Sequence, residues 1–237
     1  MGAAQRYVPD YESYDYLGEW RSRDIQSAAE RELIAGWVPR AGYCLELGGG
    51  FGRITEALEG CAAEVVMVDT SRRNLSLASA HLTKAMLLRG DLREIPFGDS
   101  TFDCVVVVRV LHHLDDLRPV MDEIVRVGRD GGMLILGVPN TVLGRYRGVR
   151  SNQQALIGPC GHRAYVRPIG AFDHPSLQLE ERRGLGMFDN PLGRRLGRFG
   201  ALSGVDVITS RAWFLKPELF MRFRIRKVGA DIPPRHD

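Results

Sequence analysis

The stretch "CLELGGGFGRIT", Cys44 to Thr55, decides the fold: an apolar run ends in three consecutive glycines, Phe51 and Gly52 follow, and sequence of helical character begins at once. Glycine is crowded in this way where the backbone takes a positive φ or where something approaches too closely for a side chain. The stretch therefore reads either as a bare strand-to-helix turn or as a loop that cradles a nucleotide-bearing cofactor.

Outward from it, residues 43–140 alternate short β-branched runs with longer helical segments, the pattern of βα units on a parallel sheet. "YCLELG" (43–48) predicts a first strand, and "FGRITEALEG" a helix that stops at Gly60. "EVVMVD" (64–69) predicts a second strand, with Ser71 as the N-cap of a helix reaching about His81. "AMLLRGD" (85–91) and "FDCVVVVRV" (102–110) predict the third and fourth, the latter almost continuous in Val as an inner parallel strand should be. A helix from about Leu117 to Val127, a turn at "RDGG" and a fifth strand "MLILGVP" (133–139) complete the block.

Before the block, "SRDIQSAAERELIAGWVP" predicts an amphipathic helix ending ahead of Pro39. After it, residues 141–216 are rich in Gly, Arg and Pro without a steady period and read as helices and loops capping one sheet edge. "LFMRFRIRK" (219–227) alternates apolar and basic residues, as a half-exposed antiparallel strand near the edge would. With 237 residues, one domain is expected. Its parts are an N-terminal helical cap (1–40), the βα core (41–140), and a C-terminal part (141–237) with a basic insertion and the final strands.

Composition is that of a globular chain, 44% hydrophobic and 26% charged. No apolar run approaches the roughly 18 residues of a membrane span, and the N-terminus has no apolar core of the secretory kind. Cys44, Cys61, Cys104 and Cys160 are far apart with no CxxC pair, which argues against a zinc site or a disulfide framework and for a reducing, cytoplasmic setting. No metal is expected. Charge is polarised: residues 1–140 carry 15 Lys and Arg against 21 Asp and Glu, net −6, and residues 141–237 carry 17 against 8, net +9. A basic half suits an anionic substrate, a lipid headgroup surface or nucleic acid, and equally a solvated cationic face.

A nicotinamide fingerprint requires GxGxxG, and its third glycine falls here on Arg53. What fits is ExGxGxG: Glu46, Gly48, Gly50 and Gly52. Asp69, at the end of the second strand, is placed to accept hydrogen bonds from both hydroxyls of a ribose. Asp91, after the third, is placed to accept one from the exocyclic amine of an adenine, with Leu92 as an apolar contact to the ring. Each acid alone could be a helix cap or a turn residue. Three strand-end features in register, all on the rim where open α/β sheets bind ligands, favour a cofactor.

The chain thus resembles the class I S-adenosylmethionine-dependent methyltransferases, in the subgroup that includes the ubiquinone and menaquinone C-methyltransferases. "ELGGGFGR", "VVMVDTS", "GDLREIPFGDSTFDCVVVVRVLHHLDD" and "EIVRVGRDGGMLILGVPN" carry the resemblance, over about residues 42–140. It implies a Rossmann-like three-layer αβα sandwich whose seven-stranded, mostly parallel sheet has the order 3-2-1-4-5-7-6, the last strand antiparallel. It implies S-adenosyl-L-methionine as cofactor and S-adenosyl-L-homocysteine as product. Gly48, Gly50 and Gly52 would pack against the methionine part, Glu46 would hold the loop or reach the amino group through water, and Asp69, Asp91 and Leu92 would take the ribose and adenine. Arg109 occupies the position whose backbone carbonyl usually faces the cofactor's amino group.

Methyl transfer from a sulfonium needs alignment more than a nucleophilic side chain, and a base only where the acceptor must lose a proton. His112 and His113, just past the fourth strand, are the candidate bases or else order the cofactor loop; His162, His174 and Tyr146 are weaker candidates. Tyr7, Tyr11, Tyr14 and Tyr16, and the strip Leu192, Leu196 and Phe199 beside Arg194, Arg195 and Arg198, are candidates to line the acceptor site. The expected partner is a small anionic or amphipathic acceptor methylated on O, N or C. RNA or another nucleic acid is the alternative acceptor, although the fourth strand ends in "RVLHHL" and not in an Asn/Asp-Pro-Pro-aromatic motif. A non-catalytic cofactor-binding module is a third reading.

Overall fold

The computed structural model describes residues 11–13, 15–21, 23–40, 42–140, 155–157, 163–165, 169–186, 205, 207–212, 214 and 216–227. Helices α1 (Tyr16–Trp20) and α2 (Asp24–Trp37) precede β1 (Tyr43–Leu47), α3 (Arg53–Glu59), β2 (Glu64–Asp69), α4 (Arg72–Ser79), β3 (Met86–Arg89) and β4 (Phe102–Val108). A 3-10 turn (Leu111–His113), α5 (Arg118–Val127) and β5 (Gly128–Pro139) follow. Then come a short hairpin of β6 (Ala155–Ile157) and β7 (Arg163–Tyr165), β8 (Leu177–Leu185) and β9 (Glu218–Ile225).

One seven-stranded sheet runs β3-β2-β1-β4-β5-β9-β8. Counted along the sheet's own strands this is the order 3-2-1-4-5-7-6, with β9 antiparallel to both β5 and β8. The alternation in β4 accounts for the layers. Val105 and Val107 enter a core with Leu45, Leu47 and the Val120, Met121 and Ile124 stripe of α5. Cys104, Val106 and Val108 enter the opposite core, with Leu33, Ile34 and Trp37 of α2 and Ile54 and Leu58 of α3. All of these are buried, so Val105 to Val108 of β4 are apolar on both faces, as a central parallel strand must be, and β1 is buried on both faces with Glu46 its one charged side chain.

Local signals hold where chemistry forces them. The Ser71 side chain accepts from the Asn74 N–H at 3.1 Å and caps α4. Gly60 closes α3, and α2 ends at Trp37, two residues before Pro39.

Three expectations are corrected. β5 begins at Gly128 rather than Met133, because Gly128 pairs with Phe102 before the ladder resumes at Met133 opposite Cys104. "RDGG" is therefore an outward bulge inside the strand, with Gly131 at φ 73°. β9 is antiparallel and second from the edge, as its alternation suggested, but it is not half-exposed: it is paired on both sides, and Phe220 is wholly buried against Gly137. The edge itself is β8, in a region read from sequence as helices and loops. Its register slips between Leu179 and Glu181, which breaks the two-residue period, and its charges are matched across the ladder, Glu180 to Arg222 and Arg224.

Among the described residues no helix is long and apolar enough to cross a membrane. Truncating Phe220 to Ala, inside the joint between β5 and β9, should cost about 3–5 kcal/mol, measured as a lower midpoint of urea unfolding.

Candidate active site

The chain leaves β1 for β2 and β3 on one side and returns to β4 on the other, so the strand order reverses between β1 and β4 and opens a crevice at their carboxyl ends. Two segments wall it: the loop Gly48–Gly52 after β1, and Arg109 to His113 after β4.

Each glycine in the loop has its own reason. Gly48, Gly50 and Gly52 have φ of 71°, 59° and 89°, left-handed values that disfavour any side chain. A Cβ on Gly48 would stand 2.4 Å from Val110 of the opposite wall, and one on Gly52 2.8 Å from Leu82. A Cβ on Gly50 would meet nothing within 4 Å, so Gly50 presents its backbone to open space. Gly49, the glycine that the ExGxGxG spacing leaves without a role, has a structural one: its Cβ would lie 2.4 Å from Met67 Cγ and 2.5 Å from Met67 Sδ in the core.

Three carboxylates surround this loop. Asp69, at the end of β2, accepts from the Gly50 N–H and the Ser71 N–H, both at 2.8 Å, and so pulls the loop toward β2. Burial raises its pKa while these donors oppose the rise. Glu46 takes a core position on β1 where its Oε2 accepts from the Thr55 hydroxyl of α3 at 2.5 Å. Burial pushes it up to about 7. Glu30 of α2, with a fully buried carboxylate, lies between Arg53 (2.5 Å) and Arg109 (2.9 Å). Burial alone would raise Glu30, but Arg109 and Arg53 outweigh it and hold its pKa below the ordinary value.

Arg109 also has a left-handed φ of 60°, which costs a non-glycine residue about 1–2 kcal/mol. Its N–H donates to Gly137 at 2.8 Å, and its guanidinium reaches Glu218 as well as Glu30. Its side chain is thus committed to the wall. Asp91 lies just beyond β3, where Arg93 grips it at 3.0 and 2.8 Å and keeps its pKa low. Leu92 beside it is buried.

His112 and His113 form the 3-10 turn past β4, their rings 3.9 Å apart, and Tyr11 meets His113 edge-on at 5.9 Å. Tyr11, Glu12 and Trp20 thus lie along the rim. Glu12 accepts from the Arg72 and Arg73 N–H groups at the start of α4, and Trp20 stacks on Arg53 at 3.7 Å. Sequence reasoning gave Glu12, Trp20, Glu30 and Arg53 no role in the site. The one available signal was an acid facing inward on the apolar stripe of α2.

His174 lies apart from this turn, its ring 3.2 Å from Asp122 of α5 and accepting from the Ser176 N–H. His162, Tyr146, Tyr7, Tyr14, Cys160 and the strip 192–199 lie outside the described residues. Among the described residues no group of His, Cys, Asp and Glu could hold a metal ion. A cavity of about 410 Å³ lined by Arg40, Asp103, Arg129 and Arg224 opens at the opposite, amino-end rim and is separate from the crevice.

Comparison with known proteins bears on this arrangement. Residues 45–136 match the family described as a methyltransferase domain. An uncharacterized methyltransferase of Mycobacterium tuberculosis is 32% identical over 136 residues, 56% of this chain and 48% of its own length. The chain therefore spans about half the length of that relative. An O-methyltransferase of Penicillium expansum is 27% identical over 214 residues, covering 77% of each chain. The crystal structure of an S-adenosylmethionine-dependent methyltransferase of Thermotoga maritima superposes with a TM-score of 0.66 at 18% identity, over 89% of this chain and 95% of that one, which shows the shared fold.

Two outcomes follow from the loop. Gly49→Ala should lower the thermal midpoint through the clash with Met67, whereas Gly50→Ala should change it less, its cost being a left-handed alanine in open space; calorimetry separates them. Glu46 holds its proton more tightly folded than unfolded, so its stabilising share is whole below about pH 4.5 and is lost as pH rises to about 7. The midpoint of Glu46→Gln relative to the parent should therefore climb between pH 4.5 and 7 and level off above.

Proposed function

We propose that the chain, whose residues 45–136 match the methyltransferase-domain family, is a class I S-adenosylmethionine-dependent methyltransferase that transfers a methyl group from that cofactor to an O, N or C atom of a small, anionic or amphipathic acceptor. The observation that supports this reading is the Gly48–Gly52 loop at the strand-order reversal, tied to Asp69 at the end of β2 by the Gly50 N–H at 2.8 Å.

The residues present fit the cofactor. Gly50 offers backbone with no atom within 4 Å of where its Cβ would stand, suited to close approach by the methionine part. Gly48 and Gly52 keep the loop in shape, and Glu46 braces it from β1 through Thr55. Asp69, ending β2 on the rim, is the acceptor for ribose hydroxyls. Leu92 offers apolar contact to the adenine. Asp91 reaches its amine only to the extent that Arg93 shares the carboxylate. Arg109 contributes its backbone.

When bound, S-adenosylmethionine supplies an activated methyl on a sulfonium. The chain's part is to align the acceptor with it and keep water out. The 3-10 turn, with Tyr11, Glu12 and Trp20, is the part of the wall suited to that. An oxygen acceptor, of the kind the Penicillium relative is named for, must lose a proton, and His112 or His113 is the group to take it. The net charge of +9 over residues 141–237 favours an anionic acceptor.

Calorimetric titration with S-adenosylmethionine and S-adenosylhomocysteine tests the reading. Both should bind, and Asp69→Ala should weaken binding at least tenfold; no binding by the parent, or equal binding by the variant, refutes the assignment. His112→Ala or His113→Ala should lower turnover with little change in cofactor affinity if the ring is a base. Equal loss of both would make it a positioning group.

A further inference from the structure

We infer that Glu30 is a positioning residue for the cofactor: one buried carboxylate on the cap helix holds the two walls of the crevice at a fixed separation through Arg53 and Arg109. The inference rests on the cofactor reading above.

Arg53 is the first residue of α3, directly after Gly52, so its side chain carries the loop wall. Arg109 follows β4 at once and carries the opposite wall. Both side chains bond to Glu30. Oε2 accepts from Arg53 Nη2 at 2.5 Å, and Oε1 accepts from Arg109 Nη2 at 2.9 Å and Nε at 3.3 Å. Gln26, one turn earlier on α2, donates to Oε1 at 3.0 Å. Trp20 closes the cluster from outside, its ring 3.7 Å from the Arg53 guanidinium and 5.0 Å from that of Arg109.

The exposures make this a clamp and not a surface ion pair. The Glu30 side chain is 0% exposed, that of Arg53 10% and that of Arg109 20%, so water screens none of the three well. Two guanidiniums brought this close repel each other: burial lowers the Arg53 pKa, Glu30 opposes that, and Arg109 adds to the lowering. Without the carboxylate between them they would separate, and the walls would go with them. Arg109 is sensitive for a second reason. Its left-handed backbone is a strained state that persists only while its side chain and N–H are held, and that backbone is the part placed to face the cofactor.

Glu30→Gln keeps the shape and removes the charge. Leu33→Ala, on the buried face of the same helix, loosens α2 without touching either arginine. S-adenosylhomocysteine is titrated into the parent and both variants, with thermal midpoints measured alongside. Glu30→Gln should bind at least tenfold more weakly, and Leu33→Ala within about threefold of the parent even where its midpoint falls as far. Parent-like affinity in Glu30→Gln, or an equal loss in Leu33→Ala, overturns the inference. If Glu30→Gln does not fold, Arg109→Lys, which keeps the charge and loses the fork, should show the weakened binding in its place, and parent-like affinity there overturns the inference too. If the parent itself binds neither S-adenosylmethionine nor S-adenosylhomocysteine, the proposed function fails. The clamp is then read without ligand from Trp20 emission in a Trp37→Phe, Trp213→Phe background: a shift on adding Glu30→Gln supports it, and an unchanged spectrum overturns it.

Discussion

The parallel pairing of β1 with β4 is the constraint on which the rest of the structure depends. Leu45 opposite Val105 and Leu47 opposite Val107 sit at the centre of the sheet, apolar on both faces and closed to water. The chain leaves these two strands in opposite directions, so their carboxyl ends cannot be bridged by a short connection. A crevice with polar backbone on both walls results at the place where the fold buries most of its apolar surface. The glycine loop and Arg109 are the two ways in which the chain turns out of that pair, and both do so in left-handed conformations.

Three acids near the crevice solve the same desolvation problem differently. Asp69 is held by backbone N–H donors, Glu30 by two arginines, and Glu46 by one hydroxyl with burial raising its pKa to about 7. The order follows the compensation available, since a carboxylate out of water stays charged only as far as donors or cations replace its hydration. Glu46 is the least compensated, and its bond to Thr55 ties β1 to α3 on either side of the glycine loop.

Much of the sheet was legible from residues alone, because β2, β4 and the second half of β5 are rich in Val, Leu, Ile and Met and bounded by Gly, Asp or Pro, and β1 is marked by the glycines that end it. Ser71 and Gly60 announced helix ends through chemistry that acts within a few residues. β8 was hidden, since an edge strand with a register slip and cross-strand ion pairs shows neither an apolar run nor a clean alternation. The neighbour that satisfies Glu180 lies about forty positions away, at Arg222 and Arg224. "RDGG" spells a turn and acts as one, but as a bulge within the ladder, which depends on Gly128 finding Phe102.

The sequence by itself determined the glycine register and the acids at the strand ends, because each is written in residues adjacent along the chain; the reversal of strand order was implied only by the family resemblance and depends on β1 pairing with β4 about sixty residues away. Only the tertiary structure decided what each glycine makes room for and which side chains are already committed. Gly49 matters because Met67 fills the space beside it; Arg93 shares Asp91; and Arg53, which reads in sequence as the glycine a dinucleotide site lacks, is tied to Arg109 through Glu30. These are contacts between residues 2 to 79 positions apart. Most depend on which elements pack together, and for buried charges that packing, not the residue type, sets where a group points and whether it is ionised.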